Sequence, residues 1–252
     1  MGRMFRLFVR LTLLAGLFAS SSAFARTDND KALRVAVILN SPPMSYMGAD
    51  GQLTGFNVEL ARELCATMQA RCDFTVSALG EVVDAVSRGQ FDFAAVSLVI
   101  TPDRGRKVLF SKPYYRSLSA WVAPRGRLPG APRTQVAVVR GSVQAAHARA
   151  QGWSTLEVGH HVEIEELAAN GKADAALLPM LTTLSFLRHP AIAAAGWEYQ
   201  LLSGPGITGE VGFAVAPARP ELRERLNQAI DRVRADGRFD RINSAFLPFR
   251  LQ

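Results

Sequence analysis

The chain is short of the side chains that usually carry chemistry, with two cysteines and four histidines among 252 residues. No G-x-S-x-G elbow occurs, which removes the common serine-hydrolase arrangement. The histidines are His147, His160, His161 and His189. His160 and His161 are adjacent, and adjacent side chains on a strand or at a helix start diverge. No acid-plus-histidine spacing accompanies them, so no metal site is expected, and no motif calls for a cofactor. No tandem repeat or low-complexity segment is present, and there is no concentrated basic stripe of the kind nucleic-acid binding needs. The formal charge of +7 falls to about +4 without Arg3, Arg6 and Arg10. The remaining arginines are mixed with acids, as in Glu221-Leu222-Arg223-Glu224-Arg225, and read as a solvated surface.

Long apolar runs are also missing after the first residues. Arg3, Arg6 and Arg10 precede the short run Leu11 to Phe18, and Ala23-Phe24-Ala25 follows with small-x-small spacing. Residues 1–25 read as a signal peptide cut after Ala25; the alternative, a membrane anchor, asks for a longer run. Export to an oxidising compartment permits a disulfide between Cys65, late in an expected helix, and Cys72, just before an expected strand. Two reduced, half-buried thiols are the other reading.

What is present is strand–helix alternation. Arg34 to Leu39 reads as a buried strand, and Asn57 to Met68 as a helix with Asn57 as N-cap. Phe74 to Leu79 reads as a second strand, and Val82, Val83 and Val86 as a short helix ended by Gly89. Phe91 to Ile100 is apolar enough to be covered on both faces. A second series follows: strands at Val136 to Val139, Thr155 to Val158 and Ala173 to Leu178. Helices open at Gly141-Ser142, run through Ile164, Leu167 and Ala168, and end near Leu187. Extended segments at Ser119 to Ala123 and Val211 to Ala216 are candidate crossings between the two series. Leu222, Leu226, Ile230 and Val233, then Phe239, Ile242 and Phe246, mark terminal helices. The pattern predicts two α/β lobes with a ligand cleft between them.

Several motifs then carry a resemblance. They are Pro42-Pro43-Met44-Ser45-Tyr46, Gly51 to Ala61 (GQLTGFNVELA), Phe91-Asp92, Ile100-Thr101-Pro102-Asp103-Arg104 and Phe110-Ser111-Lys112-Pro113-Tyr114-Tyr115. Gly171-Lys172-Ala173-Asp174-Ala175 and Asp236 to Ile242 extend the series. In order and spacing the chain resembles the polar amino-acid family of bacterial extracellular solute-binding proteins, family 3. The resemblance covers nearly the whole chain after the leader. It implies the type II periplasmic-binding-protein fold, with two hinge crossings and a cleft. Lobe 1 is expected at 33–117 plus 210–252, and lobe 2 at 118–209. The cysteine pair sits where the histidine- and lysine/arginine/ornithine-binding members carry a disulfide.

The resemblance also implies site residues. Arg104 matches the family's carboxylate-binding arginine; its planar fork stays charged and binds bidentately. Gly141-Ser142 matches the turn that meets the same carboxylate at a helix N-terminus. An ordinary N-cap serine is the plainer reading of Ser142 and is compatible with it. Ser97 falls at a pocket position. The departures are informative. Pro179 stands where an acid usually holds the α-ammonium, Ser41 where an aromatic clamp is usual, and Met44 where a phenylalanine is usual. Val99 replaces a family serine, and Ile38 and Leu79 fall at pocket-lining positions. The implied role is a monomeric periplasmic protein, not an enzyme, that captures a small carboxylate-bearing solute, an amino acid or related organic acid. Its partner would be the permease of an ABC importer in the inner membrane. The alternatives are an accessory or sensor-input binding module and, on the same fold, an enzyme like cyclohexadienyl dehydratase.

Overall fold

The structure is a computed structural model that describes residues 31–251; the expected leader lies outside the described residues. The chain opens with β1 (Leu33–Val37), a small hairpin of β2 (Tyr46–Met47) and β3 (Leu53–Thr54), and helix α1 (Phe56–Thr67). Then come β4 (Cys72–Val76), α2 (Leu79–Ser87), β5 (Phe93–Val99), the single turn α3 (Pro102–Gly105), β6 (Leu109–Phe110) and β7 (Tyr115–Ser117). A second series holds β8 (Ser119–Pro124), β9 (Gln135–Val139), α4 (Val143–Ala150), β10 (Ser154–Val158) and α5 (His161–Ala169). It continues with β11 (Ala175–Pro179), α6 (Met180–Phe186), α7 (Pro190–Ala194) and β12 (Trp197–Leu202). Last are β13 (Gly209–Val215), α8 (Pro220–Ala235) and α9 (Arg238–Phe246).

Two sheets result, one per lobe. The first runs β4-β1-β5-β13-β6, with β7 also paired to β13; the second runs β10-β9-β11-β8-β12. In each sheet three strands are parallel, β4-β1-β5 and β10-β9-β11, and the strand beyond them runs antiparallel. Parallel strands need cover on both faces, and the central β5 and β11 are accordingly apolar and almost wholly buried.

An aspartate locks the start of each parallel set. Asp92 accepts from the Arg34 amide at 2.8 Å, and Asp174 from the Gln135 amide at 2.9 Å. Burial opposes ionisation of Asp92, but hydrogen bonds from the Arg34 side chain and amide outweigh it and hold the carboxyl below its usual range. Helices α8 and α9 pack on α1 and close the first lobe, where Phe56, Tyr114, Phe213 and Phe239 fill the core. The Tyr114 and Phe213 rings stack with centroids 4.5 Å apart. A disulfide joins Cys65 of α1 to Cys72, the first residue of β4.

Three expectations need correction. Strand β4 stops at Val76, and Leu79 is the first residue of α2. The segments read as crossings, Ser119 to Ala123 and Val211 to Ala216, are instead mostly strand, β8 and β13, lodged inside their sheets. Both sit out of chain order, antiparallel to a parallel set, which is why they looked like connections between two local series. The chain changes sheet at Leu118, the one residue between β7 and β8, and again over residues 203–208.

Candidate functional site

In open α/β sheets the crevice beyond the carboxyl ends of the strands is the usual ligand site. Here both sheets point their parallel carboxyl ends at the same cleft. From the first lobe, Ile38 and Ser41 follow β1, Leu79 follows β4, Val99 ends β5, and Arg104 follows it in α3. From the second, Ser142 follows β9, His161 follows β10, and Pro179 ends β11. The enclosed cavity has a volume of about 40 Å³, room for more than one water by the usual measure of ~10–15 Å³ each. Nine of the ten residues placed at the site from sequence line it: Arg104, Ser97, Ser142, Ser41, Met44, Ile38, Leu79, Val99 and Pro179. Gly141 borders it from outside, in the open groove that shares Arg104, Ser142 and Val143 with the cavity.

Arg104 is placed by local chemistry. Thr101 caps the turn of α3 by accepting from the Arg104 amide at 3.3 Å, with Pro102 in the first helical position. The guanidinium is thereby aimed back under β5. It donates from Nη1 to the Val99 carbonyl at 2.8 Å and from Nη2 across the cleft to the Gly141 carbonyl at 3.1 Å. Among the described residues no carboxylate pairs with it. Burial pulls its pKa down to about 10, so it remains cationic at neutral pH. Of its five N–H donors, two are committed.

On the opposite wall Ser142 is the N-cap of α4, its hydroxyl accepting from the Ala145 amide at 3.0 Å. That hydroxyl is therefore engaged as a cap. The amides of Val143 and Gln144, in the first turn, lack intrahelical acceptors by the geometry of any helix start.

Asn57 departs from expectation. It is not the N-cap of α1; Gly55 is, with φ of 118°. The loop carbonyls of Pro43 and Met44 accept from the Phe56 and Asn57 amides at 3.0 and 2.9 Å. A Cβ on Gly55 would lie 2.6 Å from the Met44 carbonyl, so only glycine permits the approach. The Asn57 side chain is then free for the cleft, where Nδ2 donates to Ser97 Oγ at 2.9 Å. The Tyr114 hydroxyl donates to Asn57 Oδ1 at 3.0 Å. Tyr115 also lines the cleft, and burial pushes its phenol pKa well up.

His161 went unnoticed as a site residue. It is buried in the cleft with Nδ1 2.9 Å from Ser41 Oγ. Burial, with His160 beside it, pulls its pKa down to about 4, so the ring is neutral at neutral pH. His160 itself meets Asn40 at 3.2 Å. The usable signal was position: His161 lies just past the carboxyl end of an expected strand. Gln144, Leu181 and Thr182 also line the cleft and were likewise missed.

No helix among the described residues is long and apolar enough to cross a membrane. The chain is 28% identical over 251 residues to the L-arginine-binding protein of Pseudomonas aeruginosa, covering 95% of this chain and 97% of that one. It is 26% identical over 256 residues to the lysine/arginine/ornithine-binding periplasmic protein of Escherichia coli, covering 96% of each. A Salmonella typhimurium periplasmic binding protein, solved for its high arginine specificity, shares the fold. Its TM-score is 0.79 at 19% identity, over 86% of this chain and 99% of that one. The family model of the bacterial extracellular solute-binding proteins, family 3, matches residues 33–249. With two lobes, a cleft at the strand ends and a match over nearly all the described residues, the chain belongs to that family of solute-binding proteins.

Proposed function

We propose that the protein works in the periplasm, exported by a leader cut after Ala25. There it captures a small carboxylate-bearing solute between its lobes and, as a monomer, delivers it to the permease of an inner-membrane ABC importer. One observation carries the reading. Arg104 is a half-buried cation without an anionic partner among the described residues, and it already touches the Gly141-Ser142 turn of the opposite lobe. A carboxylate there would take the remaining guanidinium donors bidentately and the first-turn amides of α4. Such a ligand bridges the lobes and favours the closed form. Ser97, Ser41, Leu79, Val99 and Pro179 shape the remainder of the chamber.

The lobe assignment within this reading is 33–117 plus 210–252 and 118–209. Sheet membership supports it, since β7 ends at Ser117, β8 begins at Ser119, β12 ends at Leu202 and β13 begins at Gly209. Capture without catalysis fits the cleft, whose lining includes no carboxyl side chain and whose histidine is a weak base. The relatives in sequence named above are binding proteins.

The test is Arg104→Ala. Thermal-shift screening of the exported protein against amino acids and organic acids should give carboxylate ligands that raise Tm for the parent and leave the variant unmoved. A ligand that stabilises both equally would remove Arg104 from the reading. Uptake of that ligand should fall when the gene is deleted; unchanged uptake would count against the importer.

A further inference from the structure

The residues lining the cleft include one charged side chain, Arg104, and no acid. The acids near it are spent elsewhere. Asp103, on the outer groove, is exposed and paired with Arg106. Glu163 accepts from the Gly159 amide and meets His160 at 3.1 Å. Glu165 faces His189, and burial raises its pKa. None of them lines the cavity.

The backbone offers little in their place. Pro179, at the end of β11, has no side-chain acceptor. Its carbonyl already accepts from Thr182 Oγ1 at 2.9 Å and Thr183 Oγ1 at 3.1 Å. The Val99 and Gly141 carbonyls are taken by Arg104. The remaining wall mixes apolar Ile38, Met44, Leu79, Val96 and Leu181 with neutral polar side chains such as Asn57, Ser97 and Gln144, none of which carries a negative charge. The cavity they enclose is compact, at about 40 Å³.

We infer that the cleft selects a compact monocarboxylate with an apolar body and no positive charge, in preference to a zwitterionic or basic amino acid. The inference rests on the capture reading above and narrows its substrate class. An ammonium or guanidinium brought into this chamber leaves water, finds no anion and shares the space with the Arg104 cation. Burying an unpaired charge is strongly unfavourable. An apolar tail meets walls of its own kind. The selectivity therefore departs from the arginine and lysine recorded in the names of the relatives, although the fold is shared.

The experiment is calorimetry on the full exported chain, at neutral pH, with matched probes: isovalerate, L-valine and isobutylamine; 4-methylpentanoate and L-leucine; and L-arginine. The inference expects each deaminated acid to bind at least about tenfold tighter than its amino acid, the loss of one charge-assisted contact. L-Arginine and isobutylamine should bind no better than L-valine, and Arg104→Ala should abolish all binding. Tighter binding of L-valine, L-leucine or L-arginine than of the acids, lost in Arg104→Ala, would overturn this inference and leave carboxylate capture standing. No binding by any carboxylate probe, or binding indifferent to Arg104→Ala, would overturn both.

Discussion

Gly141 of the second lobe rests against Gly80 of the first so closely that a Cβ on Gly141 would lie 2.4 Å from the Gly80 Cα. Gly141 also has φ of +77°, where other residues are strained. The lobes meet backbone to backbone here, beside the Arg104–Gly141 hydrogen bond. Gly141→Ala is expected to hold the lobes apart. Ligand affinity should fall at least about tenfold, with a folding cost on the order of 1–3 kcal/mol from the strained residue. Gly80→Ala makes the control, because its Cβ would meet only ordinary contacts, at 3.6 Å and beyond. It should keep affinity and stabilise α2 by a fraction of a kcal/mol, about 0.4–1. Equal affinity in Gly141→Ala and the parent, measured by calorimetry, would mean closure does not depend on this contact.

His161 should make stability depend on pH in a defined direction. The buried ring has its pKa lowered from 6.5 to about 4. Between those values the unfolded chain holds a proton that the folded chain does not. The contribution is therefore fully present above about pH 6.5 and is lost progressively as pH falls towards 4. The whole effect is on the order of 3 kcal/mol, with about 2 kcal/mol of it lost between pH 7.5 and pH 5. Urea unfolding at those two pH values should show the parent losing more stability than His161→Gln. Equal losses would assign the acid sensitivity to other groups.

The disulfide closes a short loop, with the two cysteines seven residues apart. Loop-closure entropy for so small a ring gives a stabilisation of roughly 2–3 kcal/mol. Cys65→Ser/Cys72→Ser should lose that much unfolding free energy in urea denaturation, while ligand affinity is retained, since neither residue lines the cleft. Denatured, unreduced parent protein should yield no free thiol.

How much of this was legible in the sequence depended on whether the signal was local. The helices at Leu222 to Val233 and Phe239 to Phe246 were readable because their apolar stripes have helical period. Strands β1, β5 and β9 were readable as apolar runs. Strand order is not local. Ser119 to Ala123 reads as extended chain, and nothing in those residues says that they pair with β11 on one side and β12 on the other. The edge strand Trp197–Leu202 alternates weakly and was not recognised. In the site, motif residues such as Arg104 were legible because a family pattern surrounds them. Asn57 was misread because a good N-cap residue was displaced by a glycine two positions earlier, whose backbone reaches loop carbonyls no local rule anticipates. His161 lacked a motif altogether, and only the convergence of both sheets on one cleft gives it a place.

The sharpest reversal to attempt is Pro179→Asp. Pro179 ends β11, lines the cleft and is the N-cap of α6 with φ −60° and ψ 141°. Aspartate favours that cap position, and proline contributes no amide hydrogen there, so the substitution is compatible with the fold. One carboxylate oxygen can cap α6 while the other faces the chamber. An anion placed there supplies the partner an α-ammonium lacks in the parent, and it adds a negative charge to the cleft that Arg104 also lines. The ratio of L-valine to isovalerate affinity should rise about ten- to a hundredfold, the range for a hydrogen bond to a charged group. Tm of the unliganded variant should stay near that of the parent. An unchanged ratio in a folded variant would show that the ammonium end of the ligand, if it has one, is accommodated elsewhere than beside residue 179, and the acid-free cleft would no longer explain selectivity.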